Sequence, residues 1–178
     1  TGVLVHTFTN PNAYGTSTED RFGTGIAISG NYAVVGATFE DDASGTSSGK
    51  AYIYNVSTGA LLFTLDNPNP YGTSVNDSFG SAIAIGGNYV IIGSSAEDDA
   101  GGLSSGRAYI FDVLTGALLF TLDNPNVYGT SAGDQFGWAI SISGDYVAIS
   151  AYAEGDAGSV NSSPSGSGKV YIFNVTTG

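Results

Sequence analysis

Hydrophobic and polar positions alternate over short stretches of this chain, and the same alternation returns three times. Each stretch opens on an Asp-x-Phe-Gly phrase, at residues 20–23, 77–80 and 134–137, and continues as small and branched residues in turn. An alternation of period two predicts a β-strand with one face buried. The three phenylalanines lie 57 residues apart in both intervals, so the chain is a tandem repeat.

The first two repeats each predict four consecutive strands, and the third predicts three. In the first repeat, a Gly-Asn turn joins the alternating strand to a second strand over Tyr32–Thr38, because glycine can take the positive φ that a tight hairpin needs. An acidic, Gly/Ser-rich loop at Glu40–Gly49 leads to a third strand, Lys50–Val56, and a Ser-Thr-Gly turn leads to a fourth, Ala60–Leu65. No stretch has a helical period, so the predicted class is all-β.

The order of these segments resembles the FG-GAP repeats, which build the blades of the integrin α-subunit propeller and of many secreted bacterial proteins. The resemblance rests on Phe-Gly, the alternating strand, Val-Val-Gly-Ala (34–37) or Ile-Ile-Gly-Ser (91–94), and Ala-Tyr-Ile-Tyr or Ala-Tyr-Ile-Phe. It covers essentially the whole chain and implies β-propeller-type blades of four antiparallel strands. Proteins of this type serve adhesion, ligand binding and scaffolding alike.

One departure from the integrin pattern concerns calcium. Integrin repeats hold the ion in an Asp-x-Asp-x-Asp-Gly-like loop between the first two strands, whereas this chain has only tight turns there, at Asn31, Asn88 and Asp145. The integrin calcium site is therefore not carried over.

The repeats are unequally divided between the two ends of the chain. We read one repeat domain over residues 1–178, with blades at 20–66, 77–123 and 134–178, and the last blade lacks a fourth strand of its own. A fourth-strand sequence stands instead within residues 1–19, which we interpret as a strand donated to another blade plus a linker. We expect each Phe of the phrase to pack between blades, and its Gly to let the strand approach neighbouring backbone.

The charge balance excludes one class of partner. Lys and Arg total 4 against 16 Asp and Glu, for a net charge of −12, which repels nucleic acid. No apolar run approaches the roughly 20 residues that span a bilayer, so no membrane insertion is predicted. Abundant Gly, Ser, Thr and Asn with scarce Lys and Arg favour an extracellular or cell-surface protein.

Carboxylates offer one candidate binding site. The loop entering strand one and the loop joining strands two and three emerge at the same end of a blade, which predicts clusters that also include Glu40, Glu97 and Glu154. Several carboxylates suit a hard cation such as Ca²⁺; the alternative is a set of solvated acidic loops that keep the protein soluble. The candidate ligands are Asp20, Asp41, Asp42, Asp77, Asp98, Asp99, Asp134 and Asp156.

Basic and aromatic residues recur at fixed places. Lys50, Arg107 and Lys169 follow the glycine that opens each third strand, and we expect ordinary surface pairing with the acidic loops or, alternatively, a ligand-anchoring role. The tyrosines of the Asn-Pro-Asn-x-Tyr loops either plug the grooves between blades or form a carbohydrate platform; they are Tyr14, Tyr71 and Tyr128. Trp138, the only tryptophan, is interpreted as core or interface filler.

Catalysis is not predicted. The chain has a single histidine, His6, and no cysteine, and no base, nucleophile and orienting group occur in combination. We therefore interpret the protein as a non-enzymatic one.

The mismatched ends lead to the functional hypothesis. Three blades are too few to close a propeller, so we predict that a strand formed by Val3, Leu4, Val5, His6, Thr7 and Phe8 completes a blade that lacks its fourth strand. Between two copies this gives a six-bladed ring or a filament; the chain could also be cut from a longer propeller. The alternative function is an adhesin- or lectin-like module that binds a glycan or protein ligand through the acidic loops, in a Ca²⁺-dependent or Ca²⁺-independent way.

Overall fold

The structure is a computed structural model, and it describes residues 2–11, 18–41, 46–69, 74–99, 102–126, 131–155 and 166–178. Eleven β-strands form three antiparallel sheets, and no helix occurs among these residues. The all-β prediction and the three predicted blades are therefore confirmed.

The first and second blades have four strands each, hydrogen-bonded in chain order. Blade 1 consists of β1 (Phe22–Ser29), β2 (Tyr32–Ala37), β3 (Lys50–Asn55) and β4 (Leu61–Asp66). Blade 2 consists of β5 (Phe79–Gly86), β6 (Tyr89–Ser94), β7 (Arg107–Asp112) and β8 (Leu118–Asp123). These bounds agree with the predicted strands to within one residue.

The third blade has three strands: β9 (Phe136–Ser143), β10 (Tyr146–Ala151) and β11 (Lys169–Asn174). They are ordered β9-β10-β11, and no strand in the described part of the chain pairs with the outer edge of β11. Blade 3 is therefore an open sheet with an unpaired edge, the feature that a fourth strand covers in the other blades.

The blades stack face to face, and their cores lie between the sheets. One cluster joins Val34, Ile53 and Leu65 of blade 1 to Phe79 and Ile92 of blade 2. A second cluster joins the matching face of blade 2 to blade 3 in the same way. Phe79 and Phe136 are fully buried in these clusters, which confirms that the repeated Phe packs between blades.

The glycine of the repeated phrase permits a close approach of two backbones. Gly80 has a φ of 88°, and a Cβ at this position would lie 2.7 Å from the Lys50 carbonyl oxygen of blade 1. Only glycine takes both that conformation and that proximity without strain. The phrase therefore fixes how closely consecutive blades pack.

Candidate assembly site

The N-terminal segment, residues 2–11, lies against blade 1 where a fourth strand of a preceding blade would lie. A Cβ added to Gly59, in the β3–β4 turn, would meet the His6 ring at 2.8 Å. The matching turn glycine of blade 2, Gly116, would meet the Phe63 ring at the same distance. Since His6 and Phe63 are 57 residues apart, each occupies the same place on the blade that follows it.

A second contact fixes the same placement. The Asn10 side-chain amide donates to the Asp20 carboxylate at 2.7 Å. In the next repeat the Asn67 amide donates to Asp77 at 2.9 Å, and the third repeat has the same bond at 2.8 Å. The segment is thus clamped to blade 1 at the point where β4 is clamped to blade 2.

The apolar side of the segment is partly used. Phe8 stacks on Tyr54 with ring centroids 4.2 Å apart, and it packs against a blade 1 cluster that includes Tyr52 and Ala37. Val3, Leu4 and Val5 are 84%, 79% and 73% exposed. The segment forms no strand in this structure, and these three apolar side chains remain exposed.

The outward face of blade 3 is an apolar surface that no other part of the described chain covers. A shallow groove of about 220 Å³ is lined by Ala139, Ile140, Ser141, Ala148, Ser150 and Val170. Val170 and Ile172, on the unpaired edge strand, are 65% and 63% exposed. Their counterparts Ala108 and Ile110 are fully buried between blades 2 and 3.

At the other end of the stack, the outward face of blade 1 carries exposed side chains that could fill such a groove. Ile26 and Ile28 of β1 are 70% and 68% exposed. Their counterparts in blade 3 are Ile140 and Ile142, which pack on blade 2: a Cβ on Gly93 would lie 3.3 Å from Cδ1 of Ile140, and one on Gly86 would lie 3.0 Å from Cγ2 of Ile142. The groove on blade 3 is the corresponding place on the last blade, and within the described residues nothing fills it.

The aspartates predicted as metal ligands fall into two groups. Asp20, Asp77 and Asp134 are buried and accept the amide bonds described above, and in the latter two a second amide, from Asn69 or Asn126, donates at 2.6 Å. Burial, and then the neighbouring Glu97 carboxylate, raise the pKa of Asp77 to about 7. These carboxylates hold the linkers between blades.

The loop aspartates mostly bind their own loops. Asp41 and Asp98 each accept a backbone N–H six residues later at 2.8 Å, and Asp99 accepts the Ser131 hydroxyl at 3.1 Å. Asp42 and Asp156 lie outside the described residues. Across the part of the chain that the structure describes, no group of three or more His, Cys, Asp or Glu is placed to hold a metal ion, and the calcium site stays a prediction.

One glutamate in each repeat is buried, so the expectation that it belongs to an acidic loop surface is wrong. Glu40, Glu97 and Glu154 are fully buried, and each accepts the hydroxyl of a third-strand tyrosine, for example Tyr52 at 2.6 Å. Each glutamate carbonyl also accepts the N–H of the glycine that opens strand three, at 2.9 Å. The glutamate therefore closes the base of the loop that carries the main-chain contacts to the next blade.

The basic residues of blades 1 and 2 are buried, so the expectation that they form surface ion pairs is wrong for both. Arg107 is fully buried; its Nη1 lies 2.8 Å from Glu97 and its Nε 2.6 Å from Asp123. Burial alone would lower the pKa of Arg107, but the hydrogen bonds to Asp123 and Glu97 raise it. Lys50 is also buried and pairs with Asp66, whereas Lys169 remains partly exposed and donates to the Gly155 carbonyl at 2.7 Å.

Comparison with known sequences identifies the repeat. The family model described as FG-GAP repeat matches residues 12–54, 70–111 and 128–173, well over half of the chain. The chain belongs to the FG-GAP repeat family. A search of curated proteins found no match.

Among solved structures, the chain is similar to a europium-containing methanol dehydrogenase, with a TM-score of 0.51 and 12% sequence identity. The match covers 85% of this chain but only 22% of that protein, so this chain spans about a fifth of its length. At this identity the likeness concerns the fold alone and agrees with propeller-type FG-GAP blades.

The third FG-GAP repeat has Trp138 where the first two have Thr24 and Ser81. Trp138, which we interpret from the sequence as core or interface filler, does not lie in the core: it is 53% exposed on blade 3, and its ring centroid lies 4.7 Å from that of Tyr152, which is 42% exposed. Strict alternation along β9 would put Trp138 on the same face as Phe136 and Ile140. That alternation is broken because the β9–β10 pairing is irregular between Phe136 and Ile140. Tyr14, Tyr71 and Tyr128 lie outside the described residues, and their role stays a prediction.

The described residues include no helix long and apolar enough to cross a membrane.

Proposed function

We propose that this chain is a non-enzymatic structural protein of the cell surface or extracellular space that self-assembles by blade completion. The N-terminal segment of one copy becomes the fourth strand of blade 3 of the next. The observation that supports this most directly is the position of His6 on Gly59, which repeats that of Phe63 on Gly116. Because the segment already lies on blade 1 where a fourth strand would lie, only the three strands beside it are missing.

The contact between copies follows the two joints inside the chain. In the β3–β4 pair Ile53 faces Phe63, and in β7–β8 Ile110 faces Phe120. The same register pairs Ile172 of β11 with His6 of the second copy. Strand addition satisfies the backbone groups of an open sheet edge.

Backbone hydrogen bonds between consecutive blades give a further contact that two copies could repeat. Phe79 N–H donates to the Ser48 carbonyl at 3.0 Å, and Phe136 N–H donates to Ser105 at 2.8 Å. The corresponding pair between copies is Phe22 and Ser167. The family's typical occurrence outside cells supports the proposed location.

Side-chain burial alone does not hold two copies together. Ile26, Ile28, Val170 and Ile172 are each about two-thirds exposed, so burying each contributes about 1–2 kcal/mol. Association costs about 4–15 kcal/mol in lost motion. The strand must therefore supply much of the remaining affinity, and its removal should abolish assembly.

Sedimentation velocity of the 178-residue chain tests the proposal. We expect dimers or longer species in the wild type, monomers after deletion of residues 1–9, and monomers for Ile172→Asp. The matched control is Leu103→Asp, since Leu103 is 72% exposed on a loop of blade 2 away from both end faces. Electron microscopy then separates closed six-bladed rings from filaments.

A peptide of residues 2–11 provides the second arm. Added to the truncated chain, it should bind and block association with full-length chains. A wild-type chain that stays monomeric at millimolar concentration, or a truncated chain that assembles as well as the wild type, would refute the proposal.

A further inference from the structure

The two joints inside the chain share one steric requirement. A Cβ on Gly36 of blade 1 would lie 2.1 Å from the Gly80 carbonyl oxygen of blade 2. A Cβ on Gly93 of blade 2 would lie 2.1 Å from the Gly137 carbonyl oxygen of blade 3. In each joint, therefore, the carbonyl of the incoming phrase occupies the space that a side chain would need.

Blade 3 has a side chain at this position. The residue that corresponds to Gly36 and Gly93 is Ser150, on the outward face of β10. Its Oγ accepts the Ala139 backbone N–H at 3.0 Å. The serine thus fills the space that the next blade's carbonyl occupies in the other two joints, and it caps a neighbouring donor on its own sheet.

A second replacement on the same strand leaves room for an incoming blade. Ala148, two residues before Ser150 on the same strand, stands where blades 1 and 2 have Val34 and Ile91. Since alternate residues share a face of a strand, the face gains atoms at 150 and loses atoms at 148. The groove at this place is lined by both residues, and an incoming Ile26 can still enter it.

We infer that Ser150 is an affinity-limiting residue of the contact between copies, which makes that contact weaker and more reversible than the joints inside the chain. This inference rests on the proposed self-assembly. The second copy must seat blade 1 displaced from the internal geometry, because its Gly23 carbonyl meets the Ser150 side chain. Overpacking of this kind opposes association without preventing it.

A series at position 150 measures the effect. Dissociation constants from sedimentation equilibrium should fall at least tenfold for Ser150→Gly, equivalent to about 1.4 kcal/mol, and should rise for Ser150→Val. Ser150→Ala keeps the Cβ and removes only the hydroxyl, so it should stay near the wild type. The melting temperature of each variant, measured in the chain lacking residues 1–9, controls for changes in blade 3 itself.

The outcomes separate the inference from the proposal beneath it. If the wild type assembles and Ser150→Gly changes its dissociation constant less than twofold, the role of Ser150 is overturned and self-assembly stands. If neither the wild type nor Ser150→Gly associates, self-assembly itself is refuted, and the inference with it. If only Ser150→Gly associates, self-assembly of the wild-type chain is refuted, and with it the inference that Ser150 merely weakens that contact.

Discussion

Removing the charge of Arg107 tests whether the buried ion pair in blade 2 holds the loop that joins blades. Arg107→Met keeps much of the side-chain volume but leaves the Glu97 carboxylate, which is fully buried, with only the Tyr109 hydroxyl as a described partner from the third strand. Burial already raises the pKa of Glu97 in the intact protein. Without the guanidinium, the charged form of Glu97 is further disfavoured.

The size of the effect follows from the burial of the two partners. Breaking a buried pair by removing one member costs about 3–5 kcal/mol. For a chain of this size each kcal/mol lowers the melting temperature by about 2–4 °C, so we expect a drop of about 6–20 °C at pH 8. The drop should be smaller at pH 5, because Glu97 can then bind a proton.

The chain supplies its own controls. Asp123, the other partner of Arg107, has a side chain that is 59% exposed, and Asp123→Asn should cost less than about 1 kcal/mol. Arg107→Met combined with Glu97→Gln should recover part of the loss, since no buried charge is left unpaired. Circular dichroism melts at both pH values are the assay. Equal, small losses for Arg107→Met and Asp123→Asn would refute the reasoning.

Further predictions concern pH, packing, a hydrogen bond and calcium. The pKa of Asp77 is about 7 in the folded chain against about 4 in the unfolded chain. Its contribution to stability is therefore full below pH 4 and is lost as pH rises through 7. Thermal melts of Asp77→Asn should lack this pH dependence, and a pH profile identical to that of the wild type would contradict the prediction. Gly93→Ser should destabilise the chain by about 1–3 kcal/mol, measured by urea unfolding, because its Cβ meets the Gly137 carbonyl; a neutral result would also undermine the Ser150 inference. Tyr171→Phe should cost about 1–3 kcal/mol, since Glu154 loses the hydroxyl bond at 2.7 Å, and a melt identical to wild type would contradict this. If the acidic loops bind Ca²⁺, millimolar calcium should raise the melting temperature and a chelator should reverse the rise; indifference to both would dispose of the calcium hypothesis.

The strands and blades were predictable because period-two patterning and a fixed 57-residue interval are local properties of the sequence. The burial of Glu97 was not, because it depends on how the β6–β7 loop folds back over β7. One signal was present: in the first two repeats the glutamate precedes a tyrosine by 12 residues, as Glu40 precedes Tyr52 and Glu97 precedes Tyr109. A carboxylate repeated at a constant offset from a tyrosine indicates a paired, buried group better than a solvated loop.

The two end faces of the stack differ in a way that bears on assembly. Blade 1 keeps the residues of the repeat at its outward face, including Phe22, Ile26 and Ile28, whereas blade 3 departs from the repeat at Ala148 and Ser150, which line the groove on its own face. If both faces had been altered, a new kind of partner would be the simpler explanation. Alteration of one face against an unaltered repeat surface instead adjusts the strength of a contact whose geometry the internal joints already define. The position of His6 on Gly59 supplies the register of that contact, and Ser150 limits its affinity.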